Sequence, residues 1–347
     1  MIRINSENSV VDALTGKSYF TDEPRPTYIT AEWLNTLQED LLELIELEGL
    51  TPYETLTTQI SQAINNIITS KTNTELLFFS KSNYVERANP KNFILYGVTW
   101  SSTLSLFVAV GGADGVDAYI VTSHTGVVWT EQANPKNFFL EAVCWSPELS
   151  LYVAVGAADG TDAYIVTSPD GVVWTERANP KNFILWSVCW SPELSLYVAV
   201  GAADGTDSYI ITSPTGVVWT EQANPKNFGL WGVTWSSASN YFVAVGAADG
   251  VDAYIVTSPD GITWTERANP KNFLLYGVCW TGSFFVAVGA ADGVDSYMII
   301  SRNGINWVEQ SNFKNFILYN VVTSNLQIVA VGDADGTDAY MISTFDN

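Results

Sequence analysis

Histidine, cysteine and positive charge are scarce in this sequence, and each shortage removes a class of function. Among 347 residues there is one histidine, His124, and there are three cysteines, Cys144, Cys189 and Cys279. A metal centre of clustered Cys and His ligands has no material here, and neither does a disulfide-stapled scaffold. Lys and Arg number 15 against 37 Asp and Glu, a formal net charge of −22. Such a chain is repelled by nucleic acid and by anionic membranes, so neither is expected as a partner. No apolar run reaches the roughly 18 residues of a membrane-spanning helix. The N-terminal MIRINSENSV lacks the basic and apolar regions of a secretory signal. If the protein works outside a cell, it is expected to leave by lysis or through a dedicated machine. Phosphate loops, nucleophile elbows and metal-binding His pairs are missing too.

What the sequence has instead is repetition. NPKNF occurs at Asn89, Asn134, Asn179, Asn224 and Asn269, and in the form NFKNF at Asn312, with a spacing of 45 residues shortened only in the last full interval. Repeats of this length mean stacked or radial units, none of which can bury its own apolar face. Each unit holds four runs rich in Val, Ile, Tyr and Trp, separated by Gly, Pro, Asp and Ser. In the third unit they are LWSVCW, SLYVAVG, SYIITS and VVWTEQ. Four short strands per unit of this length is the layout of a propeller blade. The cysteines share one seat in three units, each followed by Trp, where other units place Thr99, Thr234 or Val322. That seat suits a small buried strand residue, and equivalent seats in separate units lie too far apart for a disulfide.

Counting strands gives the architecture. The first three recur six times, but the fourth, marked by Trp129, Trp174, Trp219, Trp264 and Trp307, follows only five of them. Ahead of the first unit stands NYVERAN, whose Tyr84 aligns with those Trp residues and whose Arg87 aligns with Arg177. The expectation is an all-β, six-bladed propeller over residues 76–347, closed when the segment around Tyr84 completes the last blade and removes an open sheet edge. Residues 1–75 differ in kind. Trp33, Leu34, Leu37, Leu41, Leu44 and Ile45 share one side of an expected helix stopped by Gly49, and a second is expected after Pro52. Such faces need a docking partner, copies of the same chain being the simplest supplier, so an attachment or oligomerisation region is expected here.

Two resemblances follow from these residues. Thr30, Trp33, Leu34, Asn35, Gln38 and Glu39, with Gly49 as the stop, follow an order that resembles the N-terminal segment of bacteriophage tail-fibre and tail-adhesin proteins. It covers about residues 26 to 66. The resemblance implies a virion tail protein, made in the bacterial cytoplasm, whose N-terminal part joins other tail proteins, commonly as a trimer. SPDGVVW (Ser168 to Trp174) and SPDGITW (Ser258 to Trp264) resemble the Asp-box turn of sialidase-like propellers, although one residue between Asp and Gly is missing. In that family the box is a folding element, so it implies no catalytic residue.

Function is sought where near-identical units differ. One seat in the first strand reads Tyr96, Glu141, Trp186, Trp231, Tyr276 and Tyr319, and the seat two before it reads Ile94, Phe139, Ile184, Gly229, Leu274 and Ile317. Variation and a charge at such a seat point to exposure around the mouth of the central channel. Tyr and Trp beside carboxylates and amides suit a sugar, whose apolar face stacks on rings. The competing reading is a ring that caps the blade interfaces, and both readings stay open.

The ADG-x-D loop recurs six times, pairing for example Asp159 with Asp162 and Asp204 with Asp207. Its plain reading is a tight turn near Lys136, Lys181 and their equivalents, forming a charge ring that locks neighbouring blades. Its sharper reading is Ca²⁺, although two carboxylates fall well short of the six to eight oxygens that calcium takes. No cofactor is otherwise expected. Arg87, Gln132, Arg177, Gln222, Arg267 and Gln310 alternate at one seat, where strand-end solvation and pairing to the adjacent Asp loops are expected. Catalysis needs unequal groups gathered at one place, and six near-equal blades supply none, so no enzyme is expected. The favoured function is a receptor-binding adhesin for a host surface glycan. The alternatives are a structural tail component that binds another virion protein and, third, a glycan hydrolase.

Overall fold

The computed structural model describes three short strands before residue 30 and the chain from residue 87 to 343, apart from Asn89, Asp114, Phe313 and residues 324–326 and 335–338. The chain divides into two compact units, Met1–Val85 with Asn347, and Glu86–Asp346. In the first unit Ser9–Val11, Ser18–Phe20 and Thr27–Ile29 form an antiparallel sheet in sequence order, with Val10 opposite Tyr19 and Tyr19 opposite Tyr28. These strands are too short to show a periodic signal, which is why the sequence did not announce them. The two expected helices lie outside the described residues.

The second unit is a six-bladed β-propeller. Its strands make six antiparallel sheets in chain order, five of four strands and a sixth with three described strands. In the third blade the strands are Leu185–Ser191, Leu196–Ala203, Ser208–Ser213 and Thr220–Gln222. The innermost strands of the other blades are Leu95–Ser101, Leu140–Ser146, Leu230–Ser236, Leu275–Trp280 and Leu318–Thr323.

Side-chain alternation explains why the middle strands are apolar on both faces. In the third blade Tyr197, Ala199, Tyr209 and Ile211 pack with Val153 and Val155 of the second blade. The residues between them, Val198, Val200 and Ile210, pack with Phe242, Ala244 and Tyr254 of the fourth. A strand between two neighbouring blades has no solvent face, so its period of two is written as apolar against apolar. Aromatic stacks reinforce each sheet. Tyr197 lies 4.5 Å from Trp190 and 6.2 Å from Trp219 between ring centroids, and its hydroxyl donates across the blade boundary to Leu151 O at 2.8 Å. The three cysteines are free. Burial pushes their thiols up, Cys279 to about 12, as befits inert strand residues.

The fourth-strand Trp fills a defined socket. Trp307 sits among Val243, Val245 and Ile255 of the fourth blade and Phe285, Ala287 and Ile299 of its own. One blade further on, the equivalent place is an apolar cleft lined by Val286, Met298, Ile300, Ile328, Ala330 and Ile342. The segment around Tyr84 that the sequence assigns to it lies outside the described residues. The first and last blades are also more exposed than the rest: Val98 is 64% exposed against 8% for Val143, and Val331 is 40% exposed against 0% for Val200.

Candidate binding cavity at the ring centre

The variable seat owes its position to a β-bulge. In the first strand of the third blade Leu185 pairs with Gly201 and Ser187 with Val200, so Trp186 is the extra residue. The same shift leaves Tyr96, Glu141, Trp231, Tyr276 and Tyr319 as the extra residues of the other blades. A bulge frees one side chain from ladder packing and re-aims it. The facing glycine makes it feasible: a Cβ on Gly201 would stand 1.9 Å from Ile184 O, and Gly111, Gly156, Gly246, Gly289 and Gly332 are as tightly placed. That carbonyl instead accepts the N–H of Ala202 at 3.0 Å.

All six bulge residues line one central cavity of about 710 Å³. Four of them form a run of neighbouring rings. Trp186 and Trp231 lie 5.6 Å apart, Trp231 and Tyr276 5.1 Å, and Tyr276 and Tyr319 5.5 Å, with interplanar angles between 35° and 59°. Trp186 uses the space left by Gly229, where a Cβ would come 2.9 Å from its Cζ3. Tyr96 instead meets Phe139 edge-on at 6.5 Å. So at Tyr96 and Trp186 the seat is matched to the neighbouring blade's second variable seat, a coupling that the two sequence columns did not reveal separately.

Glu141 is the single charged side chain in the described lining. It is half-buried, has no hydrogen-bond or ion-pair partner among the described residues, and burial raises its pKa. Sequence reasoning missed the next seat, which also lines the cavity: Gly97, Ala142, Ser187, Gly232, Gly277 and Asn320. Crowding near the axis keeps it small, since a Cβ on Gly277 would stand 2.9 Å from Asn320 Cα. Its polar members are spent on backbone, with Ser187 Oγ accepting from Val233 N and Asn320 Oδ1 from Val321 N. The recurrence of small residues there was the available signal.

The Asp loops form a separate, self-satisfied system. Asp159, Asp162 and Glu176 bring carboxylate oxygens within 4.8 Å of one another, as do three equivalent triads. Lys136 Nζ bridges Asp159 at 2.6 Å and Glu176 at 2.5 Å. Asp159 Oδ1 accepts the N–H groups of Thr161 and Asp162, and Asp162 Oδ2 accepts that of Asn179. Four of the six carboxylate oxygens are therefore taken, and an ammonium stands among them, so the triad as it stands falls well short of the six to eight free oxygens of a calcium site. Burial alone would raise Asp159, but Lys136 and the two N–H groups hold it low. Lys271 holds Asp292 at about 2.

The expected lock between blades is corrected in its parts. Lys136 pairs within the blade that follows it, whereas Asn134 ties back to the preceding blade through its N–H to Asp117 Oδ2 at 3.1 Å. Tyr164 of the second blade donates to Asn134 Oδ1 at 2.5 Å and completes the join. The Arg/Gln seat is corrected too: Arg177 Nε donates to Thr167 Oγ1 and Gln222 Nε2 to Thr212 Oγ1, each at 2.9 Å, rather than to the Asp loops. The two residue types place one N–H at the same point, so the alternation changes charge without changing the bond. His124 is an exposed turn residue whose Nδ1 lies 2.8 Å from Ser105 O. In the SPDG turn, Ser168 Oγ accepts from Gly171 N, Asp170 Oδ1 accepts from Val172 N and Val173 N, and Trp174 Nε1 donates to Gly171 O.

Fold and cavity together define a β-propeller whose blade differences converge on one central site. No protein-family model and no curated protein sequence matches the chain. Solved structures do resemble it. YCF48 bound to D1 peptide is 14% identical, with 72% of this chain and 78% of that one covered and a TM-score of 0.52. Kuenenia stuttgartiensis hydrazine synthase is 13% identical over 72% of this chain and 80% of that one, at 0.53. The Niastella koreensis GH74 enzyme is 13% identical over 71% of this chain, which spans 46% of that one, also at 0.53. At these identities the likeness concerns the propeller fold alone.

Proposed function

We propose that the propeller is a recognition module, the receptor-binding part of a bacteriophage tail adhesin that takes a host surface glycan into its central cavity. One observation carries this reading. Six blades that agree almost everywhere differ at a bulge seat, and in each blade that seat faces the same cavity. Interface packing alone gives no reason to vary a seat that the ladder has released. Tilted Trp and Tyr rings beside a carboxylate suit pyranose stacking with hydroxyl hydrogen bonds, and the cavity lies within the usual size range of small-ligand sites. A binding role is favoured over catalysis because glycoside hydrolysis by the common routes uses two carboxyl groups, and the described lining holds only Glu141.

The tail assignment rests on the order Thr30, Trp33, Leu34, Asn35, Gln38 and Glu39. It carries with it a virion location, attachment through residues 1–75 and a trimeric state. Several copies on one particle would turn weak single-site affinities into firm attachment. The second reading, a structural tail component, replaces the glycan with another virion protein; the peptide named with the YCF48 structure is the neighbour that favours it. Glycan arrays and host-cell binding by the full chain decide between them. Sugar binding that is lost in Trp186→Ala and Trp231→Ala supports the adhesin. Silence of a folded protein on both, with capture of a tail protein instead, supports the second reading. Release of reducing sugar from host polysaccharide would restore the hydrolase.

A further inference from the structure

Glu141 is the odd member of the bulge ring, because five blades offer an aromatic side chain where the second offers a carboxylate. Its position is costly in isolation. It is partly withdrawn from water, and no Lys or Arg stands in the described lining of the cavity to balance it. The contrast with the Asp loops is instructive, since there each inner carboxylate has a lysine of the same chain within 2.6 Å. The chain thus partners its other half-buried acids and leaves this one facing open space.

The rings around it are of the type that attracts cations. Trp186, Trp231, Tyr276 and Tyr319 follow one another at 5.1 to 5.6 Å, and their mutual tilt prevents them from covering each other face to face. Aromatic faces carry negative electrostatic potential, strongest for Trp, and groups of them bind organic ammonium ions. A formal net charge of −22 adds a long-range field that draws cations toward the molecule.

We infer that the cavity recognises an ammonium-bearing group on a surface glycan, with Glu141 as counter-ion and the Trp186–Trp231–Tyr276–Tyr319 rings as the aromatic wall. This rests on the reading of the cavity as the receptor site and names the chemistry read there. A neutral sugar would satisfy the rings but leave the carboxylate with hydroxyl contacts only. The cation is either the protonated primary amine of an amino sugar, which also donates N–H to Glu141, or the quaternary nitrogen of a choline-type substituent, which meets Glu141 by charge alone; both present a cation to the rings.

The full-length protein is titrated with glucosamine hydrochloride, choline chloride and N-acetylglucosamine, with tryptophan fluorescence and calorimetry as readouts. Saturable binding of glucosamine or of choline is expected, with N-acetylglucosamine weaker by about tenfold or more, and whichever cation binds identifies the source. Glu141→Gln is expected to weaken cation binding by about tenfold while melting at the same temperature or higher. Should Glu141→Gln fold poorly, Glu141→Tyr installs a residue that three other blades already carry at this seat. Equal affinity for the neutral sugar, or unchanged cation binding in a folded Glu141 variant, overturns the ammonium assignment and leaves glycan recognition standing. Binding of lysyl peptides with no response to any sugar overturns this inference and the glycan reading together.

Discussion

Single residues decide how well each copy of the repeat joins the next. Trp190 Nε1 donates to Glu148 Oε2 in the preceding blade at 2.7 Å, and Trp235 repeats this with Glu193 at 2.6 Å. The second blade breaks the pattern, since Thr103 stands where the acid should be and Trp145 Nε1 is buried without a hydrogen-bond partner. A buried donor left unmade costs more than a made one gains. Thr103→Glu is therefore expected to stabilise the protein by about 1 kcal/mol, read as a higher chemical-denaturation midpoint with unchanged slope. Trp145→Phe, which removes the orphan donor, should erase the benefit of Thr103→Glu. A benefit that persists in the double variant would show that the new glutamate acts elsewhere.

At the scale of elements, the bulge and the Asp loop are two solutions to the same crowding at blade edges. The bulge requires a backbone approach that only glycine permits. Gly201→Ala places a methyl group 1.9 Å from Ile184 O, so the first two strands of the third blade must separate. The expected outcome is a loss of several kcal/mol, on the order of 3, together with a change in Trp186 fluorescence as the bulge relaxes. A drop confined to about 1 kcal/mol would mean that the strand pair shifts without losing its register.

The Asp loop is held by charge and is sensitive to acid. Asp292 is held at about 2 against an ordinary 3.8, chiefly by the Lys271 ammonium. A depressed carboxylate contributes stability that is full above its unfolded pKa and fades as pH falls through the folded one, here between about 4 and 2. Asp159, Asp204 and Asp249 are shifted in the same direction. Asp162 and Asp252 are raised by burial, so protonating them in acid offsets part of the loss. Asp292→Asn should accordingly lower the melting temperature at pH 6 and change little at pH 2, measured by calorimetry. An equal drop at both values would assign the effect to packing rather than to charge.

The sequence made most of these elements legible because each blade repeats the same strands and turns, so six noisy readings reinforce one another. Trp307 and its counterparts marked the fourth strands, and the deficit of one such strand was visible in the sequence itself. The bulge was not legible, because a single extra residue in a seven-residue strand leaves no mark on apolar periodicity. Only the variation at Trp186 and its equivalents hinted that the ladder had released that seat. The lysine beside each Asp loop was legible, as Lys136 on Asp159 shows, but which blades it joins was not. The sequence places Lys and Asp in neighbouring loops, but the blade to which each belongs depends on which way the linker folds back.

For the whole molecule, the consequence of a ring built from near-equal blades is that its weakest interface is set by position rather than by sequence. The interior blades bury both faces, as Val198 and Tyr197 do on opposite sides of the same strand. The first and last blades expose counterparts of buried residues: Val98 is 64% exposed against 8% for Val143, and Val331 40% against 0% for Val200. Local opening free energy follows the amount of apolar contact, so opening should begin at these blades and spread inward. Native-state hydrogen exchange is expected to show the amides of Leu95–Ser101 and Leu318–Thr323 exchanging at least about tenfold faster than those of Leu185–Ser191. A ligand that spans the central cavity touches all six first strands and would bind only the closed ring, so saturating it should slow exchange in the outer blades most. Uniform protection across the six blades, unchanged by ligand, would mean that the ring opens as one cooperative unit and that the cavity takes no part in holding it shut.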